Sequence, residues 1–463
     1  MPFVHDLISS LTASPSTFHC VSKVRSSLLE AGFTELSSTS GSWNLVSGGK
    51  YFTTRNQSTL CAWIVGEHFS PQSGSFSLVA SHSDSPTLKV RPKSDVQNKS
   101  AGVKQLDLGT YGGGLWQTFQ DRKLSLAGKV VAKNEDGSMY TRLVTIPEPI
   151  MFLPSLAIHL RKGKTEGNGF DLDKDTNPVL CLKQEGEKKD EKEDDTENKS
   201  LEAFNIASSD LLSALGKVAN IDPNSIVFVD LESYDTEPPA IVGLKEEFLL
   251  AQGLDNKASV FASLEALLTV NDLSFDGIKG IVVFDHEEIG SGTDRGASSN
   301  FLPFLLSKIF SELKGKDSEF FPFLSRSIII SADGAHATHP SYPDKTDGQH
   351  HVTIGKGVAI KHSNKYKYVT DLDALALANS VASSRNIPLQ FFCGKESVPG
   401  GSTVGPHLGK MSITKVLDLG IGMWGMHSVR ESCSVADLES LYELIKGIFE
   451  DGHGKSFLVE EGW

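Results

Sequence analysis

Two adjacent carboxylates in Phe284-Asp-His-Glu287-Glu288-Ile-Gly290 follow directly on the compact apolar run Gly280-Ile-Val-Val-Phe284. Such a run reads as a buried strand, and open α/β sheets place their sites at the C-terminal ends of strands. Side chains of neighbouring residues diverge, so one carboxylate can ligate a metal while the other reaches a water. A Glu-Glu pair alone is commonly solvated surface, so its meaning depends on its company. Ser81-His82-Ser83-Asp84-Ser85-Pro86 ends a β-rich run, and Ser331-Ala-Asp333-Gly-Ala-His336 ends the apolar run Ser327-Ile-Ile-Ile330. Leu254-Asp255-Asn256 opens a helical pattern, where Asp255 is either an N-cap or a ligand, and Trp424-Gly-Met-His427-Ser follows a further apolar run.

Two imidazoles and three carboxylates are ordinary zinc ligands. A pair of zinc ions about 3.5–4 Å apart needs one bridging carboxylate and terminal ligands on each side. Asp84, two residues beyond His82, is of the right type to accept the second N–H of that imidazole and set its tautomer. The carboxylate left over, Glu287 or Glu288, is free to act as general base on an attacking water. The residues alone do not say which.

These clusters need a scaffold of alternating strands and helices. Residues 21–33 put Val21, Val24, Leu28 and Leu29 on one helical face, and residues 256–270 and 372–386 carry further helical patterns. Interleaved with the strands at 77–82, 280–284 and 327–330, they predict an α/β sheet covered on both faces. Residues 92–234 differ, with turn-rich strand candidates at 126–131, 138–144 and 226–231 and fewer long helical patterns. The expected organisation is a discontinuous catalytic domain, 1–91 and 235–463, interrupted by a β-rich domain at 92–234. Inside the latter, residues 185–199 (EGEKKDEKEDDTENK) are almost wholly charged and read as a mobile surface loop.

Composition narrows the function classes. A formal net charge of −14 over 463 residues argues against a general nucleic-acid binder, which needs a basic face. No stretch approaches the roughly 20 apolar residues that cross a bilayer, and the first twenty residues lack the pattern of a signal peptide. The five cysteines, Cys20, Cys61, Cys181, Cys393 and Cys433, form no CxxC pair and suit reduced cytoplasmic thiols. Tyr111-Gly-Gly-Gly114 lacks the trailing Lys-Ser/Thr of a phosphate loop and reads as a tight turn.

With these residues assembled, the chain resembles the aspartyl aminopeptidase family of zinc metallopeptidases over nearly its whole length. The resemblance is carried by Ser14-Pro-Ser-Thr-Phe-His19, His82-Ser-Asp-Ser-Pro86, Tyr111-Gly-Gly-Gly114-Leu-Trp116, Leu156-Ala-Ile-His159-Leu and Gly253-Leu-Asp255-Asn256. It continues through Glu287-Glu288, Ser331-Ala-Asp333-Gly-Ala-His336-Ala-Thr-His339-Pro340 and Gly425-Met-His427-Ser-Val-Arg430-Glu431. It implies a zinc-peptidase-type mixed sheet with flanking helices and an inserted dimerisation domain. It further implies two zinc ions per subunit held by His82, Asp255, Glu288, Asp333 and His427, with Asp255 bridging. Cobalt and manganese accept the same ligand types. By the same resemblance Glu287 is the general base and Asp84 orients His82. His159 reaches the site of a neighbouring subunit and contacts substrate there, and Glu287, Asp333, His336, Lys361 and Tyr368 are the other substrate contacts. A buried Lys361 ammonium would favour Asp or Glu as the first residue through a charge-assisted bond. The implied assembly is a homo-oligomer, a tetrahedral dodecamer, acting in the cytoplasm on peptides with a free N-terminus, with delivery to a vacuole open.

The chain departs from the family pattern in places. Asn is usual where His286 stands, Gln-Arg-Tyr where Tyr366-Lys367-Tyr368 stands, Arg-Asn-Asp where Gly394-Lys395-Glu396 stands, and Asn where Ser341 stands. None removes an implied metal ligand; most fall around the substrate pocket and bear on specificity more than on hydrolysis. The alternatives are a relative preferring neutral residues such as Leu, a carboxypeptidase or deacylase on a similar site, and a non-catalytic assembly or autophagy cargo.

Overall fold

The computed structural model describes residues 2–96, 101–160, 170–183, 208–398, 400–411 and 413–451. The charged stretch 185–199 lies outside the described residues. The chain forms two compact units, one of Met1–Ser85, Pro239–Met426 and Arg430–Trp463, the other of Pro86–Pro238 with His427–Val429.

In the first unit the described residues form a 13-stranded mixed sheet. At its centre Phe76–His82 lies between Ile278–Phe284 and Ile328–Ala332, parallel to both, and Lys415–Trp424 runs parallel to the far side of Ile328–Ala332. Strand Thr59–Val65 joins the other flank antiparallel to Ile278–Phe284. The central strands are buried along their whole length, which is why they read as unbroken apolar runs rather than as an alternation.

The period of two survives in the packing. Leu60, Ala62, Ile64, Ile281 and Val283 face one hydrophobic core, and Cys61, Trp63, Val65, Val282 and Phe284 face the other. Helices Leu254–Leu268, Leu372–Arg385 and Val435–Asp451 cover the first face, whereas Phe301–Glu312 and Asp317–Ser325 cover the second. Each fully buried Leu, Ile, Val or Phe contributes about 1.5–3 kcal/mol, so the two layers hold the sheet rigidly under the residues at its edge.

The helix expected from residue 21 begins at Thr17, where Ser16 caps it by accepting from the His19 amide at 3.4 Å. The helix expected over 372–386 ends at Arg385, because Asn386 takes a left-handed conformation with φ 56°.

The second unit carries a six-stranded antiparallel sheet in the order Met139–Thr145, Leu124–Lys133, Ile226–Asp235, Thr87–Val96, Val103–Tyr111, Val179–Leu182. Its core includes Leu106, Leu108, Leu126, Val130 and Leu231, together with Leu211 and Leu215 from helix Ser209–Ala219. The change of texture expected at residue 92 comes earlier in the chain. Strand Thr87–Val96 pairs with Ile226–Asp235 and belongs whole to this sheet.

Candidate metal centre

Three neighbouring parallel strands deliver polar residues from their C-terminal ends. Phe284 pairs with His82, and Ala80 pairs with Ser331, which brings Asp333 level with His82. His82 is buried, with Nε2 3.4 Å from Asp255 Oδ1, 3.9 Å from Asp333 Oδ1 and 4.0 Å from Glu287 Oε2. Its Nδ1 lies 3.0 Å from the Asp84 carbonyl oxygen and 3.4 Å from Asp84 Oδ1, so main chain and side chain of Asp84 both face the ring.

Asp84 has a second task. Its carboxylate accepts from the Glu287 amide at 3.2 Å and the Glu288 amide at 3.1 Å, which anchors the short 3₁₀ turn Glu287–Ile289. That turn is entered through His286 at φ 63° and left through Gly290 at φ 92°. The left-handed entry explains what His286 does there: after Gly, the residues that tolerate it best are Asn, Asp and His. Its Nδ1 also lies 2.8 Å from Thr293 Oγ1.

Asp255 is not an N-cap. Gly253 holds that position at φ 68°, and Asp255 has non-helical angles of φ −82° and ψ 101°. Its amide donates to Glu431 Oε2 at 2.9 Å and its carbonyl accepts from Ser85 Oγ at 2.7 Å. The next residue, Asn256, donates to the Ala332 carbonyl at 2.8 Å and ties the helix start to the neighbouring strand end.

Asp333 is buried, and its amide donates to the Leu419 carbonyl at 2.8 Å. This close approach needs Gly420, where an added Cβ would stand 1.6 Å from the Asp333 carbonyl oxygen. Asp333 Oδ2 lies 3.9 Å from Lys361 Nζ, itself 5.3 Å from the centre of the Tyr368 ring. Burial pulls the Lys361 pKa down, but Asp333, Tyr368 and Asp418 together leave it above the usual lysine value. His336 is exposed, with its ring 6.3 Å from that of Phe392.

Two predicted residues belong to the other unit. His159 lies in the 3₁₀ turn Ile158–Leu160 rather than in a strand, and is exposed. His427 has φ 67°, and its Nδ1 is 2.8 Å from the Gly113 carbonyl oxygen.

The electrostatics ask for a cation. Burial, followed by the charges of Asp333, Asp255 and Asp84, pushes Glu287 up to about 8 against the pull of His82. Burial and then Asp255 raise Glu288 well above the usual carboxylate range. Burial opposes charge on His82, yet Asp255, Asp333 and Asp84 raise its pKa well above the ordinary imidazole value. Ligand atoms of His82, Asp255 and Asp333 lie within 4.8 Å of one another, as do those of His82, Glu287 and Glu288. One imidazole among converging carboxylates is a nitrogen-and-oxygen donor set that fits a zinc-type ion.

Sequence reasoning assigned no role to two residues that support this centre. Asp418 is fully buried beside Lys361 and accepts from Thr403 Oγ1 and the Val369 amide, both at 2.6 Å. Its signal is a single acid inside the otherwise apolar strand Lys415–Trp424. Glu431 was visible as part of a motif, but nothing local announces its bond to the Asp255 amide.

A buried imidazole–carboxylate cluster at the C-terminal edge of a mixed α/β sheet is the arrangement of a metal-dependent enzyme. The family described as aminopeptidase I zinc metalloprotease (M18) matches residues 10–449, and the chain belongs to it. Aspartyl aminopeptidase 1 of Schizosaccharomyces pombe is 35% identical, with 96% of this chain and 94% of that protein covered. Ape4, solved by cryo-electron microscopy in complex with Nbr1, is 34% identical with a TM-score of 0.90, covering 97% of this chain and 86% of that one. The S. cerevisiae mApe1 dodecamer is 26% identical with a TM-score of 0.82, covering 96% of each chain. The chain is therefore a metal-dependent aminopeptidase.

Proposed function

We propose that this aminopeptidase releases acidic residues, Asp and Glu, from peptide N-termini. The observation that carries the reading is Lys361, a buried ammonium 3.9 Å from Asp333 and next to Tyr368. An acidic first side chain would meet it in a charge-assisted bond, whereas a leucine would bring it no such partner. The aspartyl aminopeptidase of S. pombe, matched along nearly its full length, points the same way.

In this proposal His82, Asp255, Glu288 and Asp333 would hold zinc, with His427 assigned to it by the family resemblance. Bound there, zinc polarises the scissile carbonyl and makes the attacking water more acidic. Glu287 takes the proton of that water and passes it to the leaving amine; its carboxylate stands within the cluster, 4.0 Å from His82 Nε2. Asp84 keeps His82 in one orientation and fixes the turn that aims Glu287. Asp333 and Glu287 face the substrate's α-amine, and His336 and Tyr368 wall the first side chain.

The second unit is assigned to self-association. His159 stands between Ile158 and Leu160, which are 66% and 68% exposed, a combination that suits an interface delivering His159 to a neighbouring subunit. An assembly like that of the mApe1 dodecamer, in the cytoplasm, completes the reading.

Hydrolysis of Asp-, Glu- and Leu-peptides, with and without a chelator, tests it. Chelator-sensitive release of Asp and Glu is expected, and Lys361→Met should lower kcat/KM for them about 10- to 100-fold while sparing Leu. Preferred cleavage of Leu by the unaltered protein would refute the acidic preference and retain the metal chemistry. No cleavage at all would leave the non-catalytic reading.

A further inference from the structure

Beside the metal centre, a cavity of about 440 Å³ opens in the first unit. Its apolar wall includes Tyr368, Phe392 and Val398, and His336 lines it too. Tyr368 and His336 are also the residues assigned to the first side chain, so the cavity continues from the place where that side chain would sit.

Four lysines, Lys345, Lys365, Lys367 and Lys395, line the cavity against one acid, Glu396. Lys365 is paired with Glu396. Among the described residues the other three have no carboxylate within ion-pair distance: Lys367 donates to the Gly400 carbonyl at 2.9 Å and Lys395 to the Asp344 carbonyl at 2.7 Å. An ammonium has three donors, so each keeps hydrogens to offer. The lining is thus three charges positive, four minus one, in a chain whose net charge is −14. A concentration of one sign against the overall field, on low-dielectric walls, focuses potential on an anion. The volume also exceeds what one acidic side chain needs.

We propose that this cavity is an anion subsite that binds a second carboxylate of the peptide substrate, beyond the one on its first residue. It rests on the aminopeptidase reading of the centre but not on the preference for an acidic first residue. The aromatic wall packs the peptide's carbon skeleton, and Lys367, Lys395 and Lys345 receive the acid.

Two tetrapeptide amides with the same first residue test it, one with alanine and one with glutamate at the second and third positions. On the intact protein the glutamate peptide should show a KM about three- to tenfold lower. Raising the ionic strength should shrink that ratio, since exposed ammonium groups are screened. Combining Lys367→Ala with Lys395→Ala should bring the ratio to about one, and the corresponding changes to Glu should favour a peptide with lysine at those positions. Equal KM values in the unaltered protein would overturn the proposal, as would a ratio that survives the alanine changes. A mistaken first-residue preference affects both peptides alike and leaves the ratio intact. If neither peptide is cleaved, the aminopeptidase reading fails instead, and calorimetry with the N-acetylated glutamate peptide decides the subsite. Binding lost in the alanine variant would support it, and no binding would overturn it.

Discussion

Glu287 and Glu288 are neighbours whose amides both donate to one carboxylate, Asp84, yet they are assigned different work. Glu287→Gln keeps the shape and the amide contact but loses the base. Turnover should fall by about two to four orders of magnitude while zinc content stays the same. Near-normal turnover, with metal measured by atomic absorption, would remove the base assignment. The same residues make a pH prediction. Without a cation Glu287 holds its proton up to about pH 8, and Glu288 holds its own well above the ordinary range. A cation must displace those protons, so binding should tighten as pH rises towards 8 and loading at pH 7 should release protons. Zinc added to the stripped protein in weakly buffered solution should acidify it. No acidification would mean that the carboxylates are already ionised in the apo protein.

At the scale of elements, the centre depends on how closely two strands and a helix start can approach. Gly420 lies mid-strand, and a methyl group there would meet the Asp333 carbonyl oxygen at 1.6 Å. Gly420→Ala must therefore displace Asp333 from its place beside His82. The expected result is a stability loss of about 1–3 kcal/mol from overpacking, with a disproportionate loss of bound metal. Thermal unfolding and metal content, measured on the same sample, separate the two effects. Full metal occupancy in a destabilised protein would show that Asp333 tolerates the shift.

At the scale of the whole molecule, the assignment of His159 to a neighbouring subunit predicts complementation. His159→Ala and Glu287→Gln should each be inactive alone. After dissociation and joint reassembly, half of the pairs are mixed and one site in each mixed pair is intact, so about a quarter of the sites recover. Mixed assemblies that form, as shown by mass, and stay inactive would place His159 outside the neighbour's chemistry.

The sequence by itself determined the elements and the places where chemistry could sit. Runs such as 278–284 are apolar on both faces because helices cover both, and polar clusters at their ends stand out for that reason. His82, Asp84, Glu287, Glu288 and Asp333 were legible as such clusters, and Asp255 was legible but ambiguous between cap and ligand. Its role waited on the tertiary structure because a cap and a ligand share residue type and position, and differ only in where the chain turns. The same holds for Asp418 and Glu431, whose partners lie far away in sequence: Asp418 serves Thr403 and Val369, and Glu431 serves Asp255. The lysine-lined cavity was equally hidden, since Lys345, Lys367 and Lys395 come from separate segments and each looks solvated by itself. Periodicity records burial, which is a local property of a strand or helix. Convergence of charges is a property of strand order and register, and only the folded sheet decides it.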